Sequence, residues 1–343
     1  MDTTRAAGVF HEGEIEAQER AGVRAQAARL GPRMVQPQLD WQLAAFLSEQ
    51  PFVIAASATP DGHVWASVLA GRPGFAVATA PSHVVIHSAI DPRDPLADAL
   101  DGGDAQLGLL VLEPESRTRI RLNGTARQTR DGFELDLTEV FGNCPKYIQR
   151  RVPTSVSDDA TRSAARVSEE LDANQSGLVA DSDTFFVASR HPAWGADASH
   201  RGGSPGFVAV SPDGQTLTFP DYRGNNMLQT LGNVTANPAV GLLFIDWDTG
   251  RTLQITGRAE IIWDDATRLT VWPDALRLVD VGVEKVIDRA RGLALRWELL
   301  DAHRLNPPAP NPSAPSATQP KRHVGPANPQ GEALLCRQRT EAR

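Results

Sequence analysis

Two polar, glycine-punctuated stretches, ASHRGGSPGF from Ala198 and FPDYRGNNMLQTLGNVTANP from Phe219, hold the groups of this chain best suited to bind an oxyanion. Arg201 and Arg223 would supply guanidinium charge, and Ser199, His200, Tyr222, Asn225, Asn226 and Thr230 would supply hydroxyl, ring and amide donors for the remaining oxygens. The segment NMLQTLGNV suits a helix whose N-terminus, near Asn225 and Asn226, would add backbone N–H groups. The same residues equally suit a polar loop that closes a barrel, with Asn225 as a helix cap.

Other chemistries fit less well. Gly202-Gly203-Ser204-Pro205-Gly206 matches a nucleophile elbow, but Pro205 has no N–H for an oxyanion hole and the FVAV that follows reads as strand. His83 and His87 have helical metal-ligand spacing, yet SHVVIH is strand-like, which would part them by about 13 Å along one face; no metal site is expected. A G-x-G-x-x-G or phosphate loop is missing, so a Rossmann or NTPase site has no support.

The elements that must position these residues occur twice. GLLVLEPESRTRIRLNGTA from Gly108 and GLLFIDWDTGRTLQITGRA from Gly241 align without a gap at an offset of 133, with 5 of 19 columns identical. Phe52-Val53-Ile54-Ala55 over Phe185-Phe186-Val187-Ala188 keeps that offset, and Pro73-Gly74-Phe75 over Pro205-Gly206-Phe207 needs one small indel. Two copies of one domain follow. The polar stretches diverge between them: His200 and Arg201 fall on Val68 and Leu69, and Tyr222 to Asn226 on Ala89 to Arg93. A phosphate pocket is therefore expected in the second half alone.

Short apolar, β-branched runs such as Pro51 to Ala58 and Leu107 to Leu112, parted by turns such as Pro60-Asp61-Gly62, predict antiparallel strands and a small closed barrel in each half. The expected layout is a helical extension over 1–40, a first, degenerate barrel over 41–132, a helical connector over 133–180, a second barrel over 181–305 and a disordered proline-rich tail over 306–343. A formal charge of −8 opposes nucleic-acid binding, and no apolar run reaches a membrane span. Two distant cysteines, Cys144 and Cys336, and a charged N-terminus without a signal-like core suit a cytoplasmic chain. In FGNCPKYIQRR, Cys144 lies near Lys146, Arg150 and Arg151, which would lower a thiol's pKa. The simpler reading is a helix start, with Asn143 as cap, Pro145 at the first position and an inert thiol.

The order S-H-R-G-G-x-P-G-F, F-P-D-Y-R-G-N-N-M, T-L-G-N, N-P, then G-L-L-F-I-D and L-Q-I-T-G-R-A, resembles the pyridoxamine 5′-phosphate oxidase-like FMN-binding split-barrel superfamily. More narrowly, Phe10-His11-Glu12-Gly13-Glu14 and the N-C-P-K-Y-I run over Asn143 to Ile148 resemble its tandem-barrel members, and the resemblance covers about residues 8 to 307. It implies a mainly β fold with flanking helices, two tandem FMN-binding-type split barrels packed as an intramolecular pseudo-dimer, with FMN at the interface of the barrels. It also implies Ser199, His200, Arg201, Tyr222, Arg223, Asn225, Asn226 and Thr230 as cofactor-binding residues, with Cys144, Lys146 and Tyr147 contributing from the connector. Thr230 stands where true pyridoxamine phosphate oxidases place a lysine, and their R-x-x-L-L-K strand is absent, so oxidation of pyridoxamine phosphate itself is not implied.

The resulting expectation is an FMN-dependent oxidoreductase acting on a small molecule, with an external electron donor and His200 as the candidate catalytic residue, either as a monomeric pseudo-dimer or as a homodimer. The alternative is a non-catalytic flavin, deazaflavin or haem-binding module, or a degenerate interaction protein.

Overall fold

A computed structural model describes residues 8–156 and 164–310; the expected tail and Cys336 lie almost wholly outside the described residues. Three helices come first, α1 (Glu12–Arg20), α2 (Arg24–Met34) and α3 (Trp41–Glu49). The first half continues with β1 (Phe52–Ala58), β2 (Val64–Ala70), β3 (Ala76–Ala80), β4 (His83–His87), α4 (Pro95–Asp101), β5 (Ala105–Glu113), β6 (Thr118–Thr129) and β7 (Gly132–Gly142). Between the halves lie β8 (Arg150–Val156), β9 (Ala165–Ser168) and α5 (Ala173–Asp181). The second half comprises β10 (Thr184–His191), β11 (Gly195–Gly202), β12 (Ala209–Val210), β13 (Thr216–Asp221), α6 (Gln229–Ala236), β14 (Ala239–Ile245), β15 (Thr252–Ile262), α7 (Ala266–Leu269) and β16 (Arg277–Arg289), and β17 (Leu295–Asp301) follows.

The strand paths are β2-β1-β5-β6-β7-β4-β3 and β11-β10-β14-β15-β16-β13-β12, the same antiparallel route with each strand replaced by its counterpart. Both are split barrels. Neither path closes on itself, in contrast to the closed barrel expected for each half. The edge strands are protected another way: β2 packs on β14 and β15 of the other half, and β11 on β5 and β6. Gln254 Nε2 even donates to the Ala66 carbonyl on the β2 edge, at 3.0 Å.

Strand alternation explains why these runs are apolar on both faces. Val53, Ala55, Leu109 and Val111 fill the first barrel, and Phe185, Val187, Leu242 and Phe244 fill the second. Their neighbours Phe52, Ile54, Leu110, Phe186, Ala188 and Leu243 form one shared core between the barrels, closed by Trp247 and Trp297.

The connector over 133–180 is not helical as expected. Phe133, Leu135 and Leu137 are buried in alternation, which makes 132–142 the long strand β7 of the first barrel. β8 pairs with β17 and β9 with β16, leaving α5 as the helix among the described residues of this stretch. Asn143-Cys144-Pro145 starts no helix either and runs as coil.

The F-H-x-G-E run acquires a structural role. His11 accepts from the Glu14 N–H while Glu14 Oε2 accepts from the His11 N–H, a reciprocal cap that starts α1. A β carbon on Gly13 would overlap the Gly232 carbonyl, and one on Gly232 would overlap Glu14, so paired glycines let α1 press against α6. Phe10 packs beside Met227 and Ala27 under the loop that precedes α6.

Candidate functional site

A cleft open to solvent lies where β11, the β13–α6 loop and the coil after β7 meet β6 of the first barrel. Ser199, His200, Arg201, Tyr222, Asn225, Asn226 and Thr230 all line it, as do Cys144, Lys146 and Tyr147. Arg223 does not: its side chain is exposed, and its carbonyl accepts from Tyr147 Oη at 3.2 Å. Asn225 is not a helix cap. Its Oδ1 accepts from the Met227 N–H in a local turn, while α6 begins after Leu228, a left-handed residue with no side-chain cap.

Three arginines outside the motif stretches complete the site. Arg119 and Arg121 project from β6, so the pocket is shared between the halves rather than confined to the second; Arg277 comes from the start of β16. Arg121 donates to Asp197 Oδ2 at 2.8 Å and to Ser199 Oγ at 2.7 Å. Arg201 donates to Asp221 Oδ1 at 2.7 Å, and Arg277 Nε lies 3.3 Å from Asp221 Oδ2. Arg119 bonds only to carbonyls among the described residues, those of Cys144 at 2.8 Å and His200 at 3.4 Å. A sequence signal for β6 does exist. In the repeat register Arg119 and Arg121 stand over Thr252 and Gln254, so two same-face arginines distinguish the copies.

The electrostatics favour an anion. Burial, with Arg121 and Arg201 close by, lowers Arg119 to about 9. A guanidinium seldom loses its proton, so this shift marks a half-buried cation short of negative charge. Burial and the neighbouring Arg119, Arg151 and Arg201 drive His200 well below the usual imidazole range, which keeps it neutral. Among the described residues, both His200 ring nitrogens, Tyr222 Oη and Arg277 Nη1 are buried without a hydrogen-bond partner. Such groups normally find partners, so their clustering around one cleft suits a polar occupant. Tyr147 and Tyr222 pack with ring centroids 5.4 Å apart, and burial raises both phenols, to about 12 for Tyr147.

Away from this cleft, His11, Glu12 and His191 bring ligand-type atoms within 4.8 Å of one another. Both Nδ1 atoms accept from backbone N–H groups, of Glu14 for His11 and of Ala193 and Trp194 for His191. That places the proton on each Nε2, which donates to Asn233 and to Glu12 respectively and leaves no lone pair for a cation. The trio ties α1 to the second barrel.

Residues 171–278 match the family model described as pyridoxamine 5′-phosphate oxidase. No curated protein matches the chain. Among solved structures, a variant of HupZ from Group A Streptococcus is 14% identical over 34% of this chain and 98% of its own, with a TM-score of 0.29. A proposed pyridoxamine 5′-phosphate oxidase of Lactobacillus delbrueckii is 18% identical over 35% of this chain and 94% of its own, at 0.29. A FAD-binding protein of Mesorhizobium loti is 18% identical over 36% and 96%, at 0.25. The family model thus lies on the second barrel, and the first barrel repeats that barrel's strand order.

Proposed function

We propose that the cleft binds FMN, one molecule held between the two barrels, and that the protein is a flavin-dependent oxidoreductase. The observation that carries this reading is Arg119, a guanidinium bonded only to carbonyls among the described residues, beside a cluster of buried polar atoms without partners. Arg119, Arg121, Ser199 and Arg201 would hold the phosphate, with the uncapped start of α6 adding backbone N–H groups. When bound, FMN supplies hydride or electron transfer. The chain's own residues supply charge and exclude water: Asp197 and Asp221 fix the directions of Arg121 and Arg201, and the Tyr147–Tyr222 pair walls one side. His200 is positioned as a neutral donor or acceptor. The substrate is a small molecule, and the electron donor is external to the described residues.

Two measurements test this. The phosphate contacts predict that FMN binds at least about tenfold more tightly than riboflavin, the worth of one charge-assisted contact. Equal affinities would remove the phosphate assignment. Bleaching of the bound flavin near 450 nm by a reduced substrate or donor separates an enzyme from a carrier, because a carrier would hold its flavin oxidised throughout.

A further inference from the structure

The duplication builds two equivalent crevices, and the second is much smaller. It is lined by Val68, Thr252, Gln254 and Arg289, and the repeat register places Val68, Thr252 and Gln254 over His200, Arg119 and Arg121 of the open cleft. Two carboxylates, Asp91 and Asp94, line it as well. Asp94 Oδ1 accepts from Ser67 Oγ at 2.5 Å, and Oδ2 accepts from Gln254 Nε2 at 3.4 Å and lies 3.8 Å from Arg289 Nη1. The Leu96 N–H, at 3.0 Å from Oδ1, holds the side chain in that rotamer.

The donors around this carboxylate mirror those of the open cleft. Ser67 and Gln254 are the counterparts of Ser199 and Arg121, and the two pairs are bonded alike: Gln254 donates to Ser67 at 3.1 Å and Arg121 donates to Ser199 at 2.7 Å. At the counterpart of Asp94 stands Met227, whose side chain turns away to pack with Phe10 and Ala27. One crevice thus carries its own anion, and the other carries the same hydroxyl and a stronger cation with no carboxylate in that place.

We propose that both crevices are oxyanion sites and that the Asp94 carboxylate is the permanent occupant of the second, so that each chain takes one exogenous anion per pair of barrels. The anion can come from any source, and both crevices keep this character whether or not the occupant of the open cleft is a flavin.

Chemical rescue in the full chain, without flavin, tests it. Asp94→Gly empties the second crevice, and sodium acetate is titrated while melting temperature is followed, with sodium chloride at equal ionic strength as control. Acetate should raise the melting temperature of Asp94→Gly by about 2–4 °C beyond its effect on the wild type, the size expected of a weak ligand at saturation. Adding Ser67→Ala to that background should abolish the difference. Asp94→Ser, which keeps a helix-capping hydroxyl but no carboxylate, repeats the measurement if the glycine variant does not fold. Equal acetate shifts in wild type and variants, or a rescue indifferent to Ser67→Ala, would overturn the proposal.

Discussion

Gly108 and Gly241 occupy equivalent places in the two barrels, and each lies where the backbone of the other barrel comes closest. A β carbon on Gly108 would sit 2.6 Å from the Asp197 Cα, and one on Gly241 would sit 2.6 Å from the Trp65 Cα. Asp197 belongs to β11 and Trp65 to β2, so the two contacts exchange under the pseudo-twofold relation. Backbone cannot swing aside as a side-chain tip can. Gly108→Ala and Gly241→Ala should each cost about 1–3 kcal/mol through overpacking, and by similar amounts. Urea unfolding measures this, and a loss from only one of the two would contradict the symmetry of the interface.

Ligand affinity should divide the arginines by their placement. Arg119→Ala and Arg201→Ala each remove a cation lining the cleft, and a loss of about 1.5–3 kcal/mol, roughly ten- to a hundredfold in Kd for FMN, is expected. Arg223→Ala should change Kd by less than about threefold, because its exposed side chain lies off the cleft and only its carbonyl is used. A loss at Arg223 equal to that at Arg119 would mean that the anion sits on the loop instead of against β6.

Acid should loosen the α1 clamp. Burial and the neighbouring His191 lower His11 from 6.5 to about 4. Because the unfolded chain takes up this proton first, the contribution is intact above pH 6.5 and is lost as pH falls toward about 4, on the order of 3 kcal/mol in all. His11→Asn keeps a capping acceptor without a titrating ring, so its urea midpoint should fall less between pH 7 and 4.5. Parallel losses in variant and wild type would assign the acid sensitivity to other groups.

Cys144 meets the site through its main chain. Arg119 Nη2 donates to the Cys144 carbonyl, and the residue is half-buried at the cleft wall. Cys144→Ser should therefore keep FMN affinity within about threefold, since no strong bond is removed. Iodoacetamide should label Cys144 more slowly once FMN is present, in a chain whose Cys336 has been replaced. A tenfold or larger loss in the serine variant would place the thiol itself against the ligand.

Tight contact of α1 with α6 also bears on the cleft, since α6 carries Thr230 and Leu231 into its wall. Gly13→Ala would force the Gly232 carbonyl away and should both lower stability by about 1–3 kcal/mol and weaken FMN binding. Loss of stability with unchanged affinity would show that the helix tolerates the shift.

The duplication and the strand pattern are legible along the chain alone. Repetition at a fixed offset and period-two burial are local or self-referential properties, readable without knowing what touches what. His200, Arg201 and Tyr222 are legible for the same reason, because their polarity breaks the repeat. Phe133 to Gly142 reads as connector because alternation among charged residues, as in FELDLTEV, is visible only when the buried face is known. Arg119 and Arg121 also depart from the repeat, but the departure alone does not say that they face a site. On β6 they read as the solvent side of a strand, and only docking the second barrel against that side buries Arg121, half-buries Arg119 and makes both part of a shared cleft. The same packing decides that Asp94 fills one crevice while Met227 leaves the other open, a difference set by which groups the pseudo-twofold brings together and not by spacing along the chain.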